Sequence, residues 1–180
     1  MELNEFNSDL MKKWIFILII LALIIAVSGC TTNQSSPANK TYSLNGLSFI
    51  YPGDWSELDK TIYQSALDDK GELLAVVGDG SNSAFGIARI NNVKNQTNVT
   101  LNNLVVYYNS TLKNNGTEYV SEGYVTVDGI KGYEITVKAS KNYLSSVLFI
   151  KNGTGYLAVF ESSDNDQQMF NQIISSLKVS

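Results

Sequence analysis

An unbroken apolar run near the start of the chain separates a short N-terminal segment from the residues that remain to form a folded domain. Trp14–Val27 holds 14 residues without a polar side chain, and Lys12 and Lys13 precede it. A run of about 10–14 apolar residues is shorter than the roughly 20 that cross a bilayer, and it is typical of a signal-peptide core. We therefore assign residues 1–29 to a signal peptide or membrane anchor. The two lysines predict that the residues after it lie outside the cytoplasm.

The residues that end this segment resemble the lipobox of prokaryotic lipoproteins. Val27-Ser28-Gly29-Cys30 places an aliphatic residue and two small residues directly before the chain's single cysteine. The resemblance implies cleavage before Cys30 and attachment of a diacylglyceryl-type lipid to its thiol. The alternative is an uncleaved transmembrane anchor with Cys30 near its outer end. Both interpretations predict a cell-membrane protein whose folded domain is extracytoplasmic.

A polar segment and a series of glycosylation sequons follow the cysteine. Residues 30–41 hold no periodic apolar positions, so we predict a lipidated cysteine followed by a flexible tether. Asn-x-Ser/Thr sequons are frequent, which is typical of an exported chain and makes it a candidate for N-glycosylation. An asparagine-rich genome is the alternative explanation, and sequons together with a lipobox fit an archaeal source. The sequon asparagines are Asn33, Asn39, Asn95, Asn98, Asn109, Asn115 and Asn152.

Composition narrows the chemistry open to the domain. The formal net charge is −4, which argues against nucleic acid as a partner, because such proteins present dense basic surfaces. The chain has no histidine, so it lacks the most common general base and metal ligand. One cysteine excludes an internal disulfide, a structural zinc cluster and a CxxC redox pair. We predict no cofactor and no metal.

Turn dipeptides divide residues 42–180 into strands. Asn45-Gly46, Asp128-Gly129 and Asn152-Gly153 are hairpin signals, and Asp68–Gly71 is a further candidate turn. The last four strands are predicted to form an antiparallel meander. The predicted strands are Tyr42–Leu44, Leu47–Tyr51, Ile62–Leu67, Glu72–Val77, Ala84–Ile90, Tyr119–Val127, Ile130–Ala139, Tyr143–Lys151 and Gly155–Ser162.

Two segments have helical periodicity instead. Thr100 can cap a helix whose apolar positions run from Leu101 to Leu112, and Asp164 can cap another with an apolar face from Phe170 to Leu177 and Lys178 near its end. The later strands are apolar on both faces, which requires cover on both. We therefore predict an α+β fold with a central antiparallel β-sheet flanked by helices on both faces.

Three motifs in this domain resemble PsbP-like domains, which are named for an extrinsic subunit of photosystem II. They are Leu47–Trp55 (LSFIYPGDW), Val127–Glu134 (VDGIKGYE) and the closing helix Phe170–Leu177. The resemblance covers most of residues 42–180 and implies an antiparallel sheet between helices, in an α/β/α sandwich. Prokaryotic relatives are commonly exported or lipid-anchored and mostly lack an assigned activity. No site motif matches, so no photosynthetic role and no ligand is transferred.

The remaining candidates for chemistry are few. Asp68-Asp69 and Asp164-Asn165-Asp166 are the close acidic groups, and a turn and a helix cap explain them without a calcium loop. Tyr107 lies beside Tyr108 on the predicted helix; since neighbouring positions face different ways, we predict Tyr107 as a partner contact.

These observations favour a non-catalytic, membrane-anchored module that binds or helps to assemble another envelope component, with a protein as its partner. One alternative is an extracellular hydrolase that uses two carboxylates brought together by folding. The other is a surface protein that captures a ligand or polymer, for which an exposed aromatic strip or a deep pocket is expected.

Overall fold

The computed structural model describes residues 37–64, 67, 71–90, 100–114 and 117–180. Most of them form β-strands, and three helices interrupt the strands. The strands are β1 Lys40–Leu44, β2 Leu47–Tyr51, β3 Ser56–Glu57, β4 Gly71–Gly78, β5 Ser83–Ile90, β6 Glu118–Val127, β7 Ile130–Ala139, β8 Asn142–Lys151, β9 Thr154–Ser162 and β10 Lys178–Val179. The helices are α1 Lys60–Gln64, α2 Leu101–Asn114 and α3 Gln167–Ser176.

The strands form two antiparallel sheets. The larger has seven strands in the order β3-β4-β5-β9-β8-β7-β6, and the smaller has three in the order β1-β2-β10. The predicted meander of four strands is confirmed as β6 to β9. The pairing of β9 with β5 and that of β10 with β2 were not predicted, because each joins segments that are distant in the sequence.

Three of the predicted two-residue turns are confirmed. The first residues, Asn45, Asp128 and Asn152, have φ angles of 51°, 50° and 51°, and a glycine with positive φ follows each. This is the type I′ geometry, which fits the right-handed twist of paired strands. The Asn-Gly and Asp-Gly signals therefore fix the register of three hairpins.

The prediction of a strand at Ile62–Leu67 is wrong, because the described part of this segment contains the end of helix α1. Asp59 Oδ1 accepts hydrogen bonds from Thr61 N (2.9 Å) and Thr61 Oγ1 (2.7 Å), as a helix-capping side chain does. The Gln64 side chain then makes two hydrogen bonds to β4: it donates to Gly71 O (3.0 Å) and accepts from Leu73 N (2.7 Å). Local capping and these side-chain bonds outweigh the strand propensity of a short apolar segment.

The two longer helices follow their apolar patterns. Thr100 Oγ1 accepts from Asn103 N at 3.3 Å and begins α2, as predicted. Asp164 is not the cap of α3; Asp166 is, since its Oδ1 accepts from Met169 N at 2.9 Å. The helix ends at Ser176, shortly before Lys178 as predicted, because Leu177 is extended and Lys178 already pairs with Ser48 in the small sheet.

Two apolar clusters lie on opposite faces of the large sheet. Successive residues of β9 alternate between them: Tyr156, Ala158 and Phe160 enter one cluster, and Leu157 and Val159 enter the other. The first cluster also holds the α3 side chains Phe170, Ile173 and Ile174 and the inner face of the small sheet. The second holds the α2 side chains Tyr108 and Leu112.

Residues 37–38 pack against the Pro52-Gly53 turn. A Cβ atom on Gly53 would lie 2.1 Å from the carbonyl oxygen of Ala38. Lys40 Nζ adds a hydrogen bond of 2.7 Å to Trp55 O. The chain therefore enters the fold at this end of the β1–β2 hairpin, and the Asn45-Gly46 turn lies at the other end.

We expect Gly53→Ala to lower the free energy of unfolding by about 1–3 kcal/mol, because the new methyl group forces the backbone of residues 37–38 away. Gly123→Ala is the matched control, since a Cβ there has no heavy atom within 4 Å. Urea unfolding of the two variants measures the difference. Equal stabilities would contradict a close contact at Gly53.

Candidate functional site

The sequence-predicted site residues are only partly within the described chain. Cys30, Asn33, Asn95, Asn98, Asn115 and the Asp68-Asp69 pair lie outside the described residues. Asn39 and Asn152 are exposed, at the residue before β1 and in the β8–β9 turn. Asn109 is partly buried on α2, and its Oδ1 accepts a hydrogen bond of 3.0 Å from the Tyr119 hydroxyl. Asn39 and Asn152 are the described sequon asparagines that solvent reaches most easily.

Tyr107 and Tyr108 have different surroundings on α2, as their spacing requires. Tyr108 is buried, and its hydroxyl lies 2.7 Å from Ser146 Oγ on the sheet. Tyr107 is half-buried at the margin of the same apolar cluster, and burial raises its pKa to about 12. Tyr107 therefore offers only part of its ring to a partner.

A more exposed aromatic surface lies on β6 and β7, which sequence reasoning missed. The side chain of Tyr124 is 60% exposed, and its ring meets that of Tyr133 edge-on at a centroid distance of 5.1 Å. Lys131 Nζ lies 3.5 Å from the Tyr124 ring centroid. Burial and the neighbouring Glu122 carboxylate raise the pKa of Tyr133. We call these four residues, Glu122, Tyr124, Lys131 and Tyr133, the tyrosine patch.

The signal for this patch was present in the sequence. The Asp128-Gly129 turn pairs Val127 with Ile130, and counting outward pairs Tyr124 with Tyr133. Directly opposed residues on antiparallel strands share a face of the sheet. Tyrosine combines a large apolar ring with a polar tip, so such a face suits contact with proteins or sugars.

A second polar site surrounds Asp128 in the β6–β7 turn. Its carboxylate accepts from Lys151 and, at 3.2 Å, from Val179 N, while Lys178 Nζ lies 3.3 Å from Oδ1. The Lys151 hydrogen bond is the main cause that lowers the pKa of Asp128 to about 2. Asp128 thus ties β8 of the large sheet to β10 of the small one.

Glu161 is the most unusual titratable group of the domain. It lies near the end of β9, only 2% exposed. Asn142 Nδ2 donates to its Oε1 at 2.6 Å, whereas its Oε2 is buried without a hydrogen-bond partner among the described residues. Burial raises the pKa of Glu161 to about 7. The carboxyl group is buried too deeply to meet a substrate at the surface.

The described parts of the chain contain no group of three or more Asp, Glu, Cys or His side chains that could hold a metal ion. In the same parts, the helices are too short or too polar to span a bilayer.

Comparison with known proteins identifies a family. A family model described as PsbP-like protein matches residues 25–179. The solution structure of cyanobacterial PsbP from Synechocystis sp. PCC 6803 is similar at a TM-score of 0.54 and 16% identity, and the match covers 86% of this chain and 99% of that one. At this identity the likeness concerns the fold. A search of the curated proteins finds no match.

Two further solved structures have lower similarity. A Pseudomonas aeruginosa protein of unknown function, described as a putative regulator, has a TM-score of 0.43 and 10% identity over 73% of this chain and 88% of that one. A Bacteroides thetaiotaomicron structure has a TM-score of 0.43 and 15% identity over 75% of this chain and 45% of that one.

We expect Glu161 to make stability depend on pH. Its pKa rises from 4.5 to about 7 on folding, so the folded state binds the proton more tightly. The contribution of Glu161 to the free energy of unfolding is then largest below about pH 4.5, and about 3 kcal/mol of it is lost as the pH rises from 4.5 through 7. Glu161→Gln removes this fall, so its advantage over the native chain should grow between pH 4.5 and 8.

Urea unfolding at a series of pH values measures this difference. Glu118→Gln is the control, because Glu118 is an exposed glutamate on β6. A Glu161→Gln variant whose pH profile parallels that of the native chain would contradict a buried, protonated Glu161.

Proposed function

Since the chain belongs to the PsbP-like protein family, we propose that residues 42–180 form a non-catalytic binding or assembly module of the cell envelope. The tyrosine patch carries this proposal. It places an exposed aromatic ring, a second tyrosine and a lysine on one face of the sheet. Tyrosine is among the residues that are enriched at protein contact surfaces.

The position of the patch supports contact with a macromolecule. β6 is the longer of the two edge strands of the large sheet and has 10 residues. Val120 on the same strand is also exposed, which adds apolar surface to β6. An edge strand can also pair with an added strand through its free backbone groups. A partner that covers Tyr124 could therefore reach the backbone of β6 as well.

We further propose that residues 1–29 export the chain and that a lipid on Cys30 holds it at the extracytoplasmic side of the membrane. The lipobox-like residues and the apolar run support this. Residues 30–41 then tether the domain, with glycans at exposed sequons such as Asn39 and Asn152. Because residues 37–38 meet the fold at Gly53, this tether would leave the domain at the end of the β1–β2 hairpin opposite the Asn45-Gly46 turn.

We also propose that one helix, α2 or α3, covers each face of the large sheet. The two apolar clusters support it: α2 contributes Tyr108 and Leu112 to one, and α3 contributes Phe170 and Ile173 to the other. The predicted α/β/α sandwich is the same arrangement.

Capture of a surface polymer is the second candidate function. This alternative predicts an exposed aromatic strip or a deep pocket; the exposed Tyr124 ring beside Tyr133 supports the first, and tyrosine rings also stack on sugars. No comparable observation favours a hydrolase, because Glu161, the acid with the most strongly raised pKa, is buried in the sheet.

We expect the mature protein to begin at a lipid-modified Cys30. Intact-mass measurement of protein extracted from membranes should give the mass of residues 30–180 plus a lipid, with any glycans removed beforehand. Cys30→Ser should release the protein from the membrane or leave it uncleaved. An unmodified Cys30 behind an intact Trp14–Val27 segment would contradict the lipoprotein and support the uncleaved anchor.

We expect a photo-crosslinking amino acid at Tyr124 to capture one reproducible protein partner in native membranes. The same amino acid at Val106 is the control, because Val106 is 70% exposed on α2, outside the tyrosine patch. Tyr124→Ala should weaken recovery of the same partner at least about tenfold if the ring is a main contact. Equal capture from both positions would contradict the patch as the partner site, and polymer binding without a protein adduct would favour the second candidate.

A further inference from the structure

A cleft of about 400 Å³ lies where the small sheet meets the turns of the large sheet. This volume is within the range of small-molecule sites, roughly 300–1,000 Å³. Three separate parts of the chain form it: the β1–β2 hairpin, the β6–β7 turn with the end of β8, and β10. The lining residues are Ser43, Gly46, Leu47, Ser48, Asp128, Lys151, Lys178, Val179 and Ser180.

The charge of the cleft is opposite in sign to that of the chain. Lys151 and Lys178 line it with one acidic side chain, Asp128, so the lining side chains have a formal charge of +1, whereas the side chains of the whole chain sum to −4. Both lysines contact the Asp128 carboxylate, which holds their ammonium groups close to each other. An ammonium group has three N–H donors, so each lysine can donate to a further acceptor.

The hydroxyl groups of Ser43 and Ser48 add further hydrogen-bond donors to the lining of the cleft. Ser48 lies opposite Ser43 on β1 and opposite Lys178 on β10. Opposed residues in antiparallel strands share a face, so the two hydroxyls and the Lys178 ammonium are on the same face of the small sheet. Leu47 and Val179 point to the other face and are buried. The small sheet thus presents hydrogen-bond donors to the cleft on one face and packs apolar side chains into the core on the other.

We propose that this cleft binds a phosphate-type oxyanion, as inorganic phosphate or as the phosphate group of a larger ligand. Two lysines and two hydroxyls approach from different strands, which suits a tetrahedral anion with several acceptor oxygens. Lysine binds phosphate as a point charge, and Asp128 holds both lysines in position. The volume of the cleft leaves room for the remainder of a phosphate ester.

The position of the cleft favours a soluble source for the phosphate group. The Asn45-Gly46 turn borders the cleft, and residues 37–38 meet the fold at the opposite end of the same hairpin. On the proposed attachment at Cys30, the tether therefore leaves the fold at the end of the hairpin away from the cleft. A phosphorylated small molecule has direct access to the cleft, whereas a headgroup of that membrane reaches it only when the tether lets the domain turn over.

The test is a titration of the ¹⁵N-labelled full chain in neutral detergent with inorganic phosphate and with glycerol phosphate at pH 7 and low salt. We expect saturable shifts of the amides of Ser48 and Val179 with a millimolar dissociation constant. Lys178→Gln should weaken binding about tenfold, and Ser48→Ala about threefold. Lys178 is 62% exposed, so its replacement leaves the core intact.

Matched controls separate a built site from general attraction between charges. Lys141→Gln makes the same charge change at the β7–β8 turn, and Ser121→Ala removes an exposed hydroxyl from β6. Both should bind phosphate like the native chain. Shifts that do not saturate, or equal losses for Lys178→Gln and Lys141→Gln, would overturn the site.

Vesicles distinguish the source of the phosphate group. The native chain and Lys178→Gln are anchored in phosphatidylcholine vesicles, and their capture of a second, free population of vesicles with or without phosphatidic acid is measured by co-sedimentation. Capture that depends on phosphatidic acid and is lost in Lys178→Gln supports a headgroup on another membrane, whereas phosphate binding in solution without such capture supports a soluble ligand. Absence of saturable phosphate binding would overturn the proposal, whatever the outcome of the Tyr124 crosslinking.

Discussion

The fold depends on the burial of β9 on both of its faces. All nine residues of Thr154–Ser162 are buried, and β9 pairs with β5 on one side and β8 on the other. It therefore joins the strands of the first half of the chain to the meander of the second half. A strand in this position has no face left for solvent, so it must be covered by apolar side chains above and below. Both apolar clusters meet at this strand, and the surfaces that could bind a partner lie at the margins of the sheet.

The burial of Glu161 follows from the same constraint. Alternation along β9 places Glu161 on the side of Leu157 and Val159, which face the cluster that contains α2. An ionised carboxylate at such a position would lose its hydration, and Asn142 supplies only one hydrogen bond in return. The carboxyl group therefore holds its proton to a higher pH. Glu161 therefore lowers the free energy of unfolding by an amount that depends on pH. Asp128 differs from it, because two lysines compensate the charge of Asp128.

The parts of the fold that the sequence predicted are those determined by short-range chemistry. Asn-Gly and Asp-Gly turns gave the hairpins, and helical spacing gave α2. The pairing of β5 with β9 joins residues about 70 positions apart, for instance Phe85 with Phe160, and no local signal marks it. Helix α1 was missed because its cap is Asp59 and its anchor is Gln64, two polar contacts that an apolar pattern does not reveal. The tyrosine patch could have been found, since the predicted turn at Asp128-Gly129 already fixed the pairing of Tyr124 with Tyr133.

The β6–β7 turn connects the two surface features physically. Its geometry sets the register that brings Tyr124 to Tyr133, and its first residue, Asp128, supplies the carboxylate that gathers Lys151 and Lys178. One face of the hairpin bears the aromatic rings, and its tip bears the charges. A change of Asp128 would therefore alter both features together, whereas changes of Tyr124 or Lys178 act on one feature each. Because the turn is short and both of its residues have positive φ angles, little backbone freedom remains to move Asp128 relative to the tyrosine pair. The tyrosine patch and the carboxylate that positions the two cleft lysines therefore belong to one hairpin, while the groups that would bind an anion come from other strands.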